Sequence, residues 1–316
     1  MPIFMDGKNV FSEGISGEVL LDRITDNEKV IKIIKTFGPS APKKFEKGAS
    51  APLLYVNQGE SAYGVTKDSK FEWVGSGDIA TGVVVIIRNR TTKAQIGLAH
   101  VTDVQSISCL HQLLVIPNLD EAAGESTELD LVIVGGCWSM KNDSICETSM
   151  RNVFGVLEMM HACPVKLHIT TILVLDENMA SPKPLCSGIA INTRTGEVFK
   201  AVFESESRGP CDTLRYARSM TDSELGLVPV YDRAKDAYVV LPFSWDRKAF
   251  TEDYYKIVEK MPDEKALESF SEAPECEGAD FVRRNREALK ILTFETPEKC
   301  FAEKKPLFFN EKGEKI

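Results

Sequence analysis

The chain has 316 residues, of which 43% are apolar and 27% are charged, and 47 acidic residues outweigh 38 basic ones to give a net charge of −9. A chain of this length and composition folds as a globular protein without needing disulfides or structural metals. Because nucleic acids and anionic membranes bind basic surfaces, the negative charge argues against either as the main partner.

The eight cysteines and four histidines are scattered singly along the chain. They form no C-x-x-C pair and no H-x-x-x-H pair, which excludes a disulfide scaffold and argues against a zinc site. We therefore expect no metal and no other cofactor. The cysteines are left as candidates for catalytic chemistry.

The first residues, MPIFMDGKNVFSEG, are too polar and too acidic for a secretory signal or a transit peptide. No stretch approaches the ~20 apolar residues of a membrane-spanning helix. Reduced thiols and no targeting segment together predict a protein of the cytosol or the nucleus. The small Pro2 should allow removal of Met1, which would make proline the mature N-terminus.

The predicted elements begin with a helix over about 18–36 and a Pro-, Gly- and Lys-rich surface loop over 38–50. Apolar, β-branched runs then predict strands at 53–57, 83–89 and 96–100, the last two forming a hairpin. Helical and strand patterns alternate over the next part of the chain, with a helix at 104–115, a strand at 129–134, a helix at 145–162 and a strand at 167–175.

The clearest predicted hairpin joins 188–192 to 198–203, with Gly196 placed to take a positive φ. A helix near 211–221, a further strand pair and two or three helices within 250–292 complete the pattern. This order predicts an α+β fold with largely antiparallel sheets. We expect one domain: an N-terminal helix and loop (1–50), a core (about 51–245) and a C-terminal helical segment (about 246–316).

The hairpin of 83–89 and 96–100 allows a geometric prediction. If it is symmetric about Thr91, residue 82 lies directly opposite His100, and opposed Cβ atoms are about 4.5 to 5.5 Å apart. A nucleophile at position 82 would therefore lie within reach of the His100 imidazole at the mouth of a pocket. The residue at this position is Gly82.

Other candidate motifs have simpler interpretations. The glycine-rich segments 74–78 and 134–136 match no nucleotide-binding pattern and indicate tight turns. The acidic pairs Asp263-Glu264 and Glu275/Glu277 lie in polar, helix-forming surroundings, and we expect them to be solvated.

Short segments spread over the whole chain resemble the family of protein N-terminal asparagine amidohydrolases. They are MPIFMDG, LLYVNQGE (53–60), VGSGDIATGVVVIIRNR (74–90), LAH (98–100), LDLVIVGG (129–136), GIAINTRTGEVFKAVF (188–203), VYDRAKDAYVVLPFSW (230–245) and SEAPECEGADFVRR (271–284). No single segment is long, but their common register from end to end makes the resemblance specific.

The resemblance implies an enzyme that deamidates an N-terminal asparagine to aspartate and releases ammonia. It implies that the acidic N-terminus is then read by the arginylation branch of the N-end rule degradation pathway. It also implies an α-β-β sandwich like that of the chemoreceptor deamidases and cytotoxic necrotizing factors. The expected partners are protein or peptide N-termini that begin with Asn, and the expected state is a monomer.

The family's catalytic group is a Cys-His pair with a third Ser or Thr and no metal. Carried over by position, the histidine falls on His100, the third member on Ser76 in the loop before the strand, and the cysteine on Gly82. The chain departs from the family again at Gly59, where the family carries arginine. The spacing from 82 to 100 is one residue longer than the family's, which suggests a bulge that redirects His100.

Since glycine carries no nucleophile, four explanations are open. The chain is a pseudoenzyme that binds Asn N-termini without turnover, or position 82 carries a substituted or misread codon at a working site. Alternatively another cysteine, of which Cys137 is the best placed, takes the role, or His100 activates water directly, at a slower rate.

The substrate's α-amino group calls for a carboxylate partner. Asp78 and Glu60 lie in the similar segments and are the candidate amine partners. Thr81 precedes position 82 and is a further candidate for substrate contact. Pro2 is expected near the site because the family keeps the MP…DG start.

Overall fold

The computed structural model describes residues 3–5, 8–9, 15–48, 51–93, 95–115, 128–138, 143–180, 183–221, 226–277 and 279–316. Within these ranges, no helix is both long enough and apolar enough to cross a bilayer.

The larger sheet is built around the predicted hairpin. Within the described residues its eight strands are, in spatial order, β15 (Val228–Pro229), β5 (Glu60–Thr66), β8 (Gln95–Val101), β7 (Val83–Asn89), β9 (Glu128–Gly135), β10 (Lys166–Val174), β1 (Ile3–Met5) and β2 (Lys8–Asn9). The central strands β5, β8, β7 and β9 are antiparallel, whereas β9, β10 and β1 run parallel. The long helix between β9 and β10 allows this parallel pairing. The predicted α+β class is confirmed, but the sheet is mixed rather than largely antiparallel.

A second sheet carries the other clear hairpin. Its strands are, in spatial order, β3 (Lys43–Phe45), β14 (Val198–Phe203), β13 (Gly188–Asn192), β6 (Trp73–Gly77) and β4 (Leu53–Tyr55). The predicted pairing of β13 with β14 is confirmed, and Gly196 in their turn has φ +72°. Smaller sheets are formed by β11 (Met179–Ala180) with β12 (Lys183–Pro184), and by β16 (Tyr231–Asp232), β17 (Ala237–Val240) and β18 (Leu307–Phe309).

Two predicted helices are each divided in two. The N-terminal one consists of α1 (Gly17–Thr25) and α2 (Glu28–Phe37), because the Asn27 side chain accepts a hydrogen bond from the Lys29 N–H and starts a new helix. The next consists of α3 (Val104–Ser108) and α4 (His111–Val115). The remaining helices are α5 (Asp143–Ala162), α6 (Asp212–Ser219), α7 (Glu252–Lys260), α8 (Asp263–Phe270), α9 (Ala279–Phe294) and α10 (Pro297–Cys300).

The alternation of side chains along β7 places the larger sheet between two apolar layers. Val83 and Val85 pack into a core shared with helices α1 to α5, whereas Val84 and Ile86 pack against the second sheet. The order of layers is therefore helices, larger sheet, second sheet. Helices α6 and α9 contribute further buried residues to the core between the sheets.

The contact of α1 with α5 gives a stability prediction. A Cβ added at Gly17 would lie 2.5 Å from the Phe154 Cβ and 2.6 Å from its carbonyl oxygen, so Gly17→Ala should cost about 1–3 kcal/mol. Gly155→Ala is the matched control, since the atom nearest to its added Cβ is the Ile107 Cδ1, at 2.8 Å, which is the end of a flexible side chain and can rotate away. Urea unfolding measures both variants, and equal losses would contradict the prediction.

Candidate functional site

His100 connects the two large sheets. It lies on β8 and is completely buried, and its Nδ1 is 2.9 Å from the Oγ of Ser76 on β6 of the second sheet. The Ser76 hydroxyl is also 2.7 Å from the carbonyl oxygen of Val56. The two residues carried over as catalytic partners are therefore in direct contact.

Ser76 lies within a strand, and the expectation of a loop before the strand was wrong. The flanking glycines, Gly75 and Gly77, suggested a turn, but both are packed under an aromatic side chain. An added Cβ would lie 2.7 Å from the Phe203 ring at Gly75 and 2.9 Å from it at Gly77. These glycines therefore permit a close approach within the sheet.

The hydrogen bonds determine which nitrogen of His100 carries the proton. A carbonyl oxygen can only accept, so the Ser76 hydroxyl donates to Val56 and in turn accepts from Nδ1–H of His100. Nε2 then carries a lone pair, and no described residue hydrogen-bonds to it. Burial lowers the pKa of His100 to about 4, although the Asp78 carboxylate acts in the opposite direction. At neutral pH the imidazole is an uncharged base with a free Nε2.

The register of the hairpin differs from the prediction. Val84, not residue 82, pairs with His100, because the turn after β7 is two residues longer than assumed. Within this turn the Asn89 side chain accepts from two backbone N–H groups, and the Asn89 carbonyl from a third. The pairing of β7 with β8 is regular, so the expected bulge between positions 82 and 100 was also wrong.

Gly82 nevertheless lies against the free nitrogen of His100. It precedes β7 in the larger sheet, and a Cβ built on it would be 2.7 Å from Nε2 and 2.9 Å from the carbonyl oxygen of Val101. Gly82 and His100 are therefore close, as predicted, but they are diagonal neighbours on adjacent chain segments and not a directly opposed pair. His100 occupies the space that a side chain at position 82 would need.

A cavity of about 360 Å³ opens beside Gly82. Many of its lining residues are polar, among them Gln58, Glu60, Thr81, Asp103, Arg215, Arg218, Glu272, Glu277 and Asn285. Gly59 also lines it, in the left-handed conformation with φ +70° and with open space where a Cβ would stand. The predicted contact residue Thr81 thus reaches the cavity, and Pro2 lies outside the described residues.

Asp78 and Glu60 are engaged by arginines. Asp78 accepts from Arg208 at 2.7 Å and from Arg284, and Glu60 accepts from Arg215 at 2.6 Å. Both predicted amine partners therefore already carry arginine partners, and their contact with a substrate amine stays a prediction. Both arginines of Asp78 come from segments far along the chain, which local sequence patterns do not reveal.

Cys137 does not replace the missing nucleophile by direct contact with His100. Its thiol is buried and interacts with Cys276 and Ser149, and the hydrogen bond from Cys276 lowers its pKa. No hydrogen bond joins it to His100, whose Nε2 is without a partner in the described part of the chain. Nor do the described residues contain a group of three His, Cys, Asp or Glu side chains arranged to hold a metal ion.

Glu277 is the site residue that sequence reasoning missed. Its segment was interpreted as solvated, yet the side chain lines the cavity next to Gly82 and is only partly exposed. Burial, with help from Asp78, raises its pKa to about 8. The segment 271–284 was among those resembling the family, and this was the one signal that could have identified it.

Burial of neutral His100 leads to a prediction about pH. The imidazole has a pKa of about 4 in the folded chain against 6.5 normally, so between these values the unfolded state binds more protons. The free energy of unfolding should therefore fall by about 3 kcal/mol as the pH is lowered through this window. Urea unfolding at several pH values measures this loss.

The matched variants are His100→Gln and His111→Gln, the second at an exposed histidine. The fall in the free energy of unfolding at low pH should be absent in His100→Gln and present in His111→Gln. An equal pH dependence in the two variants would contradict the assignment to His100.

Comparisons with known proteins identify the family of this chain. Residues 43–315 match the family described as Protein N-terminal asparagine amidohydrolase. Relatives of that name are 27% identical in Arabidopsis thaliana (81% of this chain, 78% of the relative), 27% in Mus musculus (78% and 76%) and 24% in Homo sapiens (92% and 89%). The chain belongs to the protein N-terminal asparagine amidohydrolase family.

Proposed function

We propose that this protein hydrolyses the side-chain amide of an N-terminal asparagine in proteins and peptides, giving N-terminal aspartate and ammonia. One observation carries the proposal: His100 presents an unprotonated, unpartnered Nε2 to Gly82, which lines an open cavity. Family membership and the names of the relatives favour this activity over binding without turnover.

His100 can carry out this reaction with water as the nucleophile. Nε2 takes a proton from a water molecule as its oxygen attacks the carboxamide carbon, and the imidazolium then gives that proton to the departing nitrogen. The products are a carboxylic acid and ammonia, and the base is regenerated. Ser76 holds the ring in the required tautomer throughout, since it accepts from Nδ1–H.

Because position 82 carries no thiol, the rate of this reaction is limited to that of attack by water. A cysteine activated by histidine attacks an amide more readily than water does and forms a thioester that water then hydrolyses. We therefore infer a slow water-mediated reaction for the chain as it stands. A cysteine at this position, whether through a corrected codon or by mutation, should make it faster.

The proposal extends to the wider setting of the reaction. The layers of helices, larger sheet and second sheet support the expected likeness to the chemoreceptor and toxin deamidases. The new acidic N-terminus would suit the arginylation machinery of the N-end rule pathway. We propose a monomer acting in the cytosol or the nucleus, with no nucleic-acid partner given its net charge of −9.

The activity is tested with a short peptide beginning with Asn, by measuring ammonia and N-terminal aspartate. We expect slow turnover by the intact protein and none by His100→Gln. Gly82→Cys should raise the rate by roughly a hundredfold or more, since loss of a nucleophile costs other hydrolases far more than this. The new Cβ must displace the His100 ring, so this variant should also lose about 1–3 kcal/mol of stability.

Gly82→Ala is the matched control because it adds the same Cβ without a thiol, and it should not raise the rate. Absence of aspartate above the buffer blank with both the intact protein and a folded Gly82→Cys variant would overturn the proposal. Peptide binding without turnover in both would instead support the pseudoenzyme alternative.

A further inference from the structure

The cavity beside Gly82 is lined by four carboxylates, which differ in what they contact. Glu60 is held by Arg215. Asp103 caps α3 by accepting from the Ser106 N–H at 2.7 Å. Glu272 is exposed at the rim, and Glu277 is the fourth. Glu60 and Asp103 therefore already bind groups of the protein, and Glu272 faces solvent.

Glu277 differs from the others because no described residue donates a hydrogen bond to it or forms an ion pair with it. It also borders a smaller neighbouring cavity of about 210 Å³, together with Asp78, Ala80 and Cys276. Ala80 and Glu277 line both cavities, so the carboxylate lies where the two meet. An unpaired carboxylate in a partly buried cavity calls for a cationic ligand.

The asparagine substrate brings such a cation close to its reacting group. Only three bonds separate the α-nitrogen from the carbonyl carbon of the side chain. Whatever binds the α-ammonium group must therefore lie in the cavity beside Gly82, the residue against which the Nε2 of His100 lies. Among the lining carboxylates in the described part of the chain, Glu277 alone is both sheltered and unpaired.

We propose that Glu277 binds the α-ammonium group of the N-terminal asparagine and so restricts the site to free N-termini. This inference rests on the proposed function, since it names the group that recognises the substrate of that same site. A blocked N-terminus has no positive charge to pair with the carboxylate. An internal asparagine is excluded for the same reason.

The electrostatic surroundings of Glu277 give this recognition a measurable signature. The charged and titratable groups that act on it are Asp78, Cys137, Arg208, Arg284, Tyr216 and Cys276, and Lys183 lines the same smaller cavity. With a pKa of about 8, its carboxyl group is mostly protonated at pH 7 in the empty site. Pairing with an ammonium favours the ionised form. Binding should therefore release most of one proton at pH 7.

The test is isothermal titration calorimetry of the intact protein with an Asn-Gly peptide and with its N-acetylated counterpart. We expect the free-amine peptide to bind roughly ten- to a hundredfold more tightly. Repeating the titration in buffers of different ionisation enthalpy measures the proton release. Mass spectrometry of the peptide afterwards shows whether it was hydrolysed during the measurement.

Glu277→Gln should abolish both the preference for the free amine and the proton release. Glutamine resembles the protonated carboxyl group in shape, so this variant should keep its thermal stability, which circular dichroism checks. Glu272→Gln is the matched control at the rim of the same cavity and should change neither quantity.

The proposal is overturned if the intact protein binds the two peptides equally, or if Glu277→Gln keeps the preference and the proton release. These outcomes are separate from those for the proposed function. Selective binding of the free amine without any aspartate product would reject the hydrolysis but retain the role of Glu277. Hydrolysis of both peptides at equal rates would retain the hydrolysis but reject the role of Glu277.

Discussion

The hydrogen bond between Ser76 and His100 is the contact on which the site depends. It joins β6 of the second sheet to β8 of the larger one, in an interface that is otherwise mostly apolar. A buried imidazole without a partner for Nδ1–H would lose one hydrogen bond at considerable cost. Because Ser76 also donates to Val56, the proton is fixed on Nδ1 and the lone pair on Nε2. The packing of two sheets thus sets the protonation state of the candidate catalytic base.

Buried ion pairs form the scaffold around this base. Arg215 donates to Glu60 and to the carbonyl of Tyr55, which ties α6 to strands of both sheets. Arg284 on α9 donates both to Asp78 and to Asp212. Pairs of this kind contribute little net stability but are costly to break, so they fix the positions of the segments that they join. The cavity wall is therefore built from residues distant in sequence. Glu277 is the sheltered carboxylate of this wall that takes no part in these pairs.

Local sequence patterns predicted the elements of the fold better than their arrangement. The β-branched run of β7 and the turn glycine at 196 identified two hairpins, because strand propensity and φ are local properties. The hairpin register was missed because the Asn89 side chain stabilises a longer turn. Ser76 was assigned to a loop since the reason for its flanking glycines, the Phe203 ring, lies on another strand. The burial of Glu277 and the pairing of Asp78 result from long-range packing, which no local pattern shows.

The glycine at position 82 affects more than the supply of a nucleophile. A thiolate there would place a negative charge beside Nε2, and an opposite charge within about 4–6 Å favours the protonated imidazole. Without it, burial outweighs the opposing effect of the Asp78 carboxylate and lowers the pKa of His100 to about 4. The Gly82 chain thus keeps its histidine neutral and able to accept a proton from water, although the low pKa makes it a weak base, and it forms no cysteine–histidine ion pair. Substitution of this glycine by cysteine changes the electrostatics of the pair as well as the attacking atom, so the two residues act as one unit.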